Sequence, residues 1–296
     1  MAQHRVGVAV CRRMAAQDGL AGALSLGPEW ATPGGFGGIL DLEQAERALN
    51  EAFLWRLRVL AGWLPPTGTG LARAAAGLFE IENVVALARR LDGGGQETPP
   101  FDLGTLATAW PRVRTATSTE ELARVLDGPP WGRIGFEIDG AGSLRDVLLL
   151  AWWRRLATVA PRARPWYGMV CVLTAARLQL FDGAAPMQPL LRFLRPVLGR
   201  TWETADGMTA FAAAVPPHLR GIISGVEQPE GLWRAEARFG FAVEDDGFRL
   251  LHGSLPGAEV VLGALAVLAV DAWRVRVALT AATIGAGAGE VLDVMA

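Results

Sequence analysis

The clearest hydrophobic pattern in the chain runs from Leu71 to Asp92. Leu71, Ala74, Leu78, Ile81, Val85 and Ala88 recur in steps of three and four, the spacing that lays apolar side chains along one stripe of a helix. At 3.6 residues per turn, Asn83 and Arg90 fall within about 20° of each other, roughly opposite that stripe. Asp92 and the glycines behind it stop the run, because glycine takes the left-handed helix end without strain. The pattern predicts a long helix with an apolar side, a polar side carrying Asn83 and Arg90, and a firm end.

Two later stretches repeat the pattern. Residues 168–177 read GMVCVLTAAR and residues 274–283 read RVRVALTAAT. With Asn83, Gly168 and Arg274 placed in register, each begins an apolar run that closes in a glycine-containing turn, and Leu173–Ala176 recurs as Leu279–Ala282. The spacings of 85 (168 − 83) and 106 (274 − 168) residues are too uneven for a strict solenoid. They suit three loosely similar helical units.

Other elements follow from local signals. Arg5–Ala16 reads as a first helix, followed by a loop through Pro33, Gly34, Gly35, Gly37 and Gly38. Asp41 with Gln44 marks a helix start, and Leu42, Ala45, Leu49, Phe53, Leu57 and Leu60 carry that helix to Trp63, before Pro65 and Pro66. Gly93–Pro100 is a polar linker and the best boundary in the chain. Beyond it, Leu103–Thr115 is expected to be helical. Ser118 with Glu121 opens a helix that closes at Asp127-Gly128. Ser143 opens another, with Leu144, Val147, Leu148, Ala151, Trp152, Leu156 and Val159 on one face, and Pro161 and Pro165 separate it from a helix over 166–181. Thr201–Ala214 reads as helix. Glu230–Leu251 alternates weakly around ARFGFAV and FRLL with Asp246-Gly247 between them, which predicts a hairpin. Val261, Leu265, Leu268, Ala272, Val275 and Leu279 predict a final helix buried on most sides. The expected divisions are 1–95, 96–183 and 184–296.

The chain has 296 residues, a formal net charge of −2 and a 51% apolar composition, with a mean hydropathy of +0.26. This charge gives no general attraction to nucleic acid or acidic lipid. So apolar a composition implies that much of the surface faces protein. All 28 basic residues are arginine, which removes every chemistry needing a lysine, from phosphate-loop to Schiff-base catalysis. Cys11 and Cys171 make neither a disulfide framework nor a metal motif, and they fit a reducing compartment. Val6–Val10 is too short for a signal-peptide core. Val260–Val270 falls short of the about 20 residues that a membrane span needs.

Candidate chemistry is sparse. His4, His218 and His252 are isolated, without paired-ligand spacing. Ser224 sits in GIISG, which is not the nucleophile-elbow sequence. Gly285, Gly287 and Gly289 are spaced GxGxG with only seven residues after them, so they read as a helix terminator rather than a dinucleotide loop. Asp245-Asp246 precedes a glycine and reads as a turn. Ala151–Trp166 mixes four arginines with three tryptophans. That mixture suits nucleic acid or an acidic protein surface, whereas inward-packed tryptophans with Arg154 and Arg155 at the helix end is the reading a slightly acidic chain favours. No catalytic constellation, cofactor site or metal site is expected.

Taken in order, these features resemble the C/d family of V/A-type ATPases, the central-stalk socket proteins named C in archaea and bacteria and d in eukaryotes. That family carries a helical element like Asp-x-x-Asn-Leu, then an apolar run and arginine ending in glycine. Glu80-Ile81-Glu82-Asn83-Val84-Val85-Ala86-Leu87-Ala88-Arg89-Arg90 is similar to it. So are the segment from Leu103 through Ser118 to Leu126, and the C-terminal apolar helix with Trp273-Arg274-Val275-Arg276-Val277 and a final glycine turn before Glu290-Val291. The second and third copies have Gly168 and Arg274 in place of the asparagine. The resemblance implies an all-α fold of three pseudo-symmetric helical bundles forming a funnel. It implies a non-catalytic component of the central stalk, set between the rotating stalk and the membrane rotor ring of an ATP-linked proton or sodium transporter. The partners would then be the other stalk proteins and the ring, with no nucleic acid, no small-molecule ligand and membrane contact only through the complex. The location would be cytoplasmic, peripheral at the inner membrane face. Asn83, Arg89, Arg90, Arg274 and Arg276 would line or brace the funnel, with ordinary solvent-facing helix charge as the alternative for each. The competing readings are a helical adaptor using the Trp/Arg run, with Arg154, Arg155, Arg162 and Arg164, and an enzyme with an unrecognised site.

Overall fold

A computed structural model describes residues 5–27, 38, 39, 41–65, 68–94, 98–132, 134, 141–182, 187–253 and 257–285. Among the described residues every regular element is helical, as expected. The order is α1 Val8–Ala15, α2 Leu20–Ser25, α3 Leu42–Trp63, α4 Thr69–Leu91, α5 Trp110–Val113, α6 Thr119–Leu126, α7 Ala141–Val159, α8 Arg164–Arg177, α9 Gln188–Leu198, α10 Met208–Ala214, α11 Leu232–Leu251 and α12 Ala258–Ile284, with 3-10 turns between several of them. The chain forms two compact units, Met1–Gly62 with Glu236–Ala296, and Trp63–Ala235. Their boundaries differ from the expected divisions at 95 and 183.

In the 63–235 unit, α4 packs along α7, and α7 packs on α8 and α9. The stripe of α7 does this work: Leu144, Val147, Leu148, Ala151, Trp152 and Leu156 are buried, and only Val159 at the helix end is exposed. Gly77 lets α4 approach closely, since a Cβ there would meet Trp152 Cδ1 at 2.9 Å. The indole Nε1–H of Trp152 donates to the Ala74 carbonyl at 2.7 Å. In the other unit, α12 packs against α1 and α2. Cys11, Met14, Ala23, Leu24, Val275, Ala278, Leu279 and Ala282 form the core there, with Ala45 and Leu49 of α3.

Three termini follow their sequence signals. Asp41 Oδ1 accepts the Gln44 N–H at 2.8 Å, and Ser118 Oγ accepts that of Glu121 at 3.2 Å. Glu121 returns its bond to the N–H and hydroxyl of Thr117. Gly285 ends α12 in the left-handed conformation, at φ +67°.

The hairpin expected over Glu230–Leu251 is corrected to helix α11. Gly247 is a packing site rather than a turn. A Cβ there would meet the Gly263 carbonyl oxygen at 3.1 Å, and one on Gly263 would meet the Gly247 carbonyl oxygen at 2.6 Å. The paired glycines let the α11 and α12 backbones nearly touch, and Gly240 likewise accommodates Trp273. The expected turn at Asp245-Asp246 is overturned with the hairpin. Leu103–Thr115 is not one helix: a 3-10 turn at Gly104–Leu106 gives way to extended Ala107 before α5. Thr201–Ala214 breaks likewise, with extended Ala205 and Gly207 separating a 3-10 turn from α10. The helix expected over 166–181 is α8, continued by a π-helical turn at Leu178–Asp182. Pro33–Gly37 of the first loop, Gly287, Gly289 and Glu290-Val291 lie outside the described residues.

Gly263→Ala is expected to lower stability by about 1–3 kcal/mol, because two backbones must part to admit the methyl. Gly62→Ala, at an exposed α3 position with nothing within 4 Å, should change it by less than about 1 kcal/mol. Urea denaturation of the two variants measures the difference.

Candidate functional site

α4 carries the first expected site residue, but turned inward. Asn83 is 3% exposed. Its side-chain amide donates to the Phe101 carbonyl at 3.0 Å and accepts the Phe101 N–H at 2.7 Å. It closes both backbone bonds of a segment that lies in no helix. The polar side predicted for α4 therefore does not carry it to solvent. Three residues earlier, Glu80 is fully buried and caps α5. Its Oε1 accepts the N–H groups of Thr108, Ala109 and Trp110 at 2.9, 2.7 and 2.6 Å, and its Oε2 accepts the Thr108 hydroxyl at 2.7 Å. Arg155 of α7 reaches the same hydroxyl at 3.4 Å, and burial pushes its guanidinium below the usual arginine range while Glu80 opposes that shift. Arg89 and Arg90 are exposed on the last turn of α4, where positive charge complements the helix dipole.

Arg274 and Arg276 lie in the other unit. Arg274 is 2% exposed and forms a fork with Glu244 of α11, both contacts at 2.6 Å. One turn away, Asp271 is also buried, and its carboxylate accepts the N–H groups of Val6 and Gly7 at 2.8 and 2.9 Å. Those two residues lead into α1, so a carboxylate on α12 seats the start of the described chain. Burial pushes the Asp271 carboxyl above the ordinary carboxylate range, against the opposing pull of those N–H groups and of Arg274. The Cys11 thiol is pushed up to about 12, by burial first and Asp271 second. At that value it is no thiolate nucleophile near neutrality. Arg276 is partly exposed.

Of the five expected site residues, Asn83, Arg89 and Arg90 belong to the 63–235 unit, and Arg274 and Arg276 to the other. Asn83 and Arg274 are interior fasteners in different units, and Arg89, Arg90 and Arg276 are surface or partly exposed helix positions. Glu80, Asp271 and Glu244 went unpredicted, although each carries a contact that holds an element in place. Their signal was a polar residue three positions from another within an apolar helical face, as Glu80 with Asn83 and Asp271 with Arg274.

The Trp/Arg run divides, with its tryptophans turned mostly inward and Arg154, Arg162 and Arg164 exposed. Trp152 and Trp166 are buried, and the Arg154 guanidinium carbon lies 4.5 Å from the Phe193 ring centroid. Arg162 and Arg164 are exposed beside it. His218 and Ser224 are exposed, and His252 Nδ1 lies 2.7 Å from the Phe248 carbonyl of its own helix. His4 lies outside the described residues. Among the described residues no three His, Cys, Asp or Glu side chains gather as a metal would need, and no helix is long and apolar enough to cross a membrane. No protein-family model matches this chain, and a comparison with curated proteins gives no match either.

Two outcomes are expected. Arg274→Met should cost about 3–5 kcal/mol by stranding Glu244, and the double variant R274M/E244L should recover most of it. A double-mutant cycle in urea measures the coupling. The second concerns pH. Asp271 has a folded pKa above its ordinary 3.8, so the folded state holds the proton more tightly than the unfolded one. Its contribution is greatest below the unfolded value and is lost as pH rises through the folded one. Relative to Asp271→Asn, the wild-type chain should therefore lose stability from pH 3.8 up to that raised value and run parallel above it, which paired melts across pH will test.

Proposed function

We propose that the chain is a non-catalytic coupling component of a V/A-type rotary ATPase, a socket that passes rotation between central stalk and membrane rotor ring. One observation supports this reading most. Asn83, Gly168 and Arg274, the positions placed in register from sequence, are all buried, and so are Leu87, Val172 and Ala278 four residues on. The three helices α4, α8 and α12 thus turn the same two register positions inward, as copies of one module would. Each position also fastens its helix. Asn83 holds Phe101, Gly168 admits Leu219 where a Cβ would meet Cδ2 at 2.8 Å, and Arg274 grips Glu244.

Under this reading, residues 1–95, 96–183 and 184–296 descend from three modules of a funnel with threefold pseudo-symmetry. Asn83 and Arg274 brace it from within, while Arg89, Arg90 and Arg276 are available to the stalk or the ring. The protein works at the cytoplasmic face, touches the membrane only through the complex, and serves ATP-linked proton or sodium transport without chemistry of its own. The adaptor reading has less support, since Trp152 and Trp166 are already packed inside.

Affinity purification of the tagged chain from its native cell is expected to recover the stalk and ring proteins with it. Recovery of an intact ATPase lacking the chain, with the chain migrating alone, would refute the proposal.

A further inference from the structure

Between Val147 and Trp202 the chain carries eight arginines and a single carboxylate, Asp182, in a protein whose formal net charge is −2. Some of these arginines are answered within the fold. Arg177 pairs with Asp146 and Asp182, Arg195 forks onto Glu203, and Arg155 reaches the Thr108 hydroxyl. Arg154, Arg164 and Arg192 are different. All three are exposed, and among the described residues none has a carboxylate within ion-pair distance.

The fold gathers these three at one end of the 63–235 unit. α7 runs toward that end and α8 starts from it, with only residues 160–163 between them. Phe193 of α9 joins both helices. Its ring centroid lies 4.5 Å from the Arg154 guanidinium carbon, and its carbonyl accepts the Tyr167 hydroxyl at 3.1 Å. Arg192 adjoins Phe193 in α9, and Arg164 lies one turn before Tyr167 in α8. Their own helices do not account for them. Arg164 is the first residue of α8, where a cation opposes the helix dipole. Neither Arg164 nor Arg192 makes a side-chain hydrogen bond, ion pair or ring contact among the described residues. Arg154 is stacked on Phe193, and its N–H groups take no acceptor there.

We propose that this arginine end is a docking surface for a carboxylate-rich segment of a partner protein. A guanidinium forks onto a carboxylate, so three of them from three helices suit aspartate and glutamate side chains. Arg154 is held in plane beforehand, which lowers the cost of ordering it on binding. Nucleic acid suits the surface less well, because bases need exposed rings to stack on. Trp152 and Trp166 are buried, and Phe193 is 2% exposed and already covered by Arg154. The surface draws on α9 as well as on the Trp/Arg run, uses no tryptophan, and stands apart from the rotary reading.

The test uses the full chain and three fluorescein-labelled probes, followed by anisotropy at low salt. They are a blocked alanine-based peptide with glutamate at every fourth position, its glutamine counterpart, and oligothymidylate. The wild-type chain is expected to bind the glutamate peptide about tenfold more tightly than the glutamine one, with the difference shrinking as salt is added. R154Q/R164Q/R192Q should lose about tenfold in affinity for the glutamate peptide. R13Q/R58Q/R249Q, which removes three exposed arginines of the other unit, should stay within about twofold of wild type. R164Q/R192Q leaves the Arg154 stack in place, so it separates docking from folding, and should lose about threefold. No preference for the glutamate peptide, or equal loss in the two triple variants, would overturn the proposal. Tighter binding of oligothymidylate than of the glutamate peptide would overturn it in favour of a nucleic-acid surface.

Discussion

A charge or amide taken out of water must find partners inside the protein, and this chain places such groups on helices that are otherwise apolar. Glu80 and Asn83 on α4, with Asp271 and Arg274 on α12, are its buried polar residues among those described. None is idle. Glu80 collects three backbone N–H groups at the start of α5, Asn83 takes both backbone groups of Phe101, and Asp271 accepts the N–H groups of Val6 and Gly7. These three tie a long helix to a segment with backbone groups left over, and Arg274 ties α12 to α11 through Glu244. Apolar packing alone would bury those segments with their backbone unsatisfied, and that is more costly than the burial of the side chain that satisfies them.

The same constraint explains what could be read from the sequence. Helix α4 was legible because six apolar residues share a stripe, and its observed span of Thr69–Leu91 lies within two residues of the expected one at the start. The caps at Asp41 and Ser118 and the stop at Gly285 were legible because each is a local rule about one turn. The direction of Asn83 was not. Periodicity places it opposite one stripe, but α4 is covered on more than one side, and only the position of Phe101 in space decides that the amide turns inward. Arg274 behaves alike: its partner Glu244 lies 30 residues away on another helix.

Helix α11 is the instructive failure. ARFGFAVEDDGFRLL alternates enough to suggest strands, and Asp-Gly is a strong turn signal. In the fold, Gly240 and Gly247 are seven residues apart, about two helical turns, and so lie on one face. There they admit Trp273 and the backbone of α12. Glycine in a sequence marks either a turn or a close approach, and the sequence does not say which until the partner is known.

The tryptophans are unevenly distributed. Trp131, Trp152, Trp166 and Trp202 are buried, and all belong to the 63–235 unit, whereas Trp55 and Trp63 stand 56% and 85% exposed. Intrinsic emission is thus weighted toward one half of the molecule at its blue edge and toward α3 at its red edge. A fluorescence trace of unfolding will describe the 63–235 unit first, and a water-soluble quencher will dim α3 before the other described tryptophans.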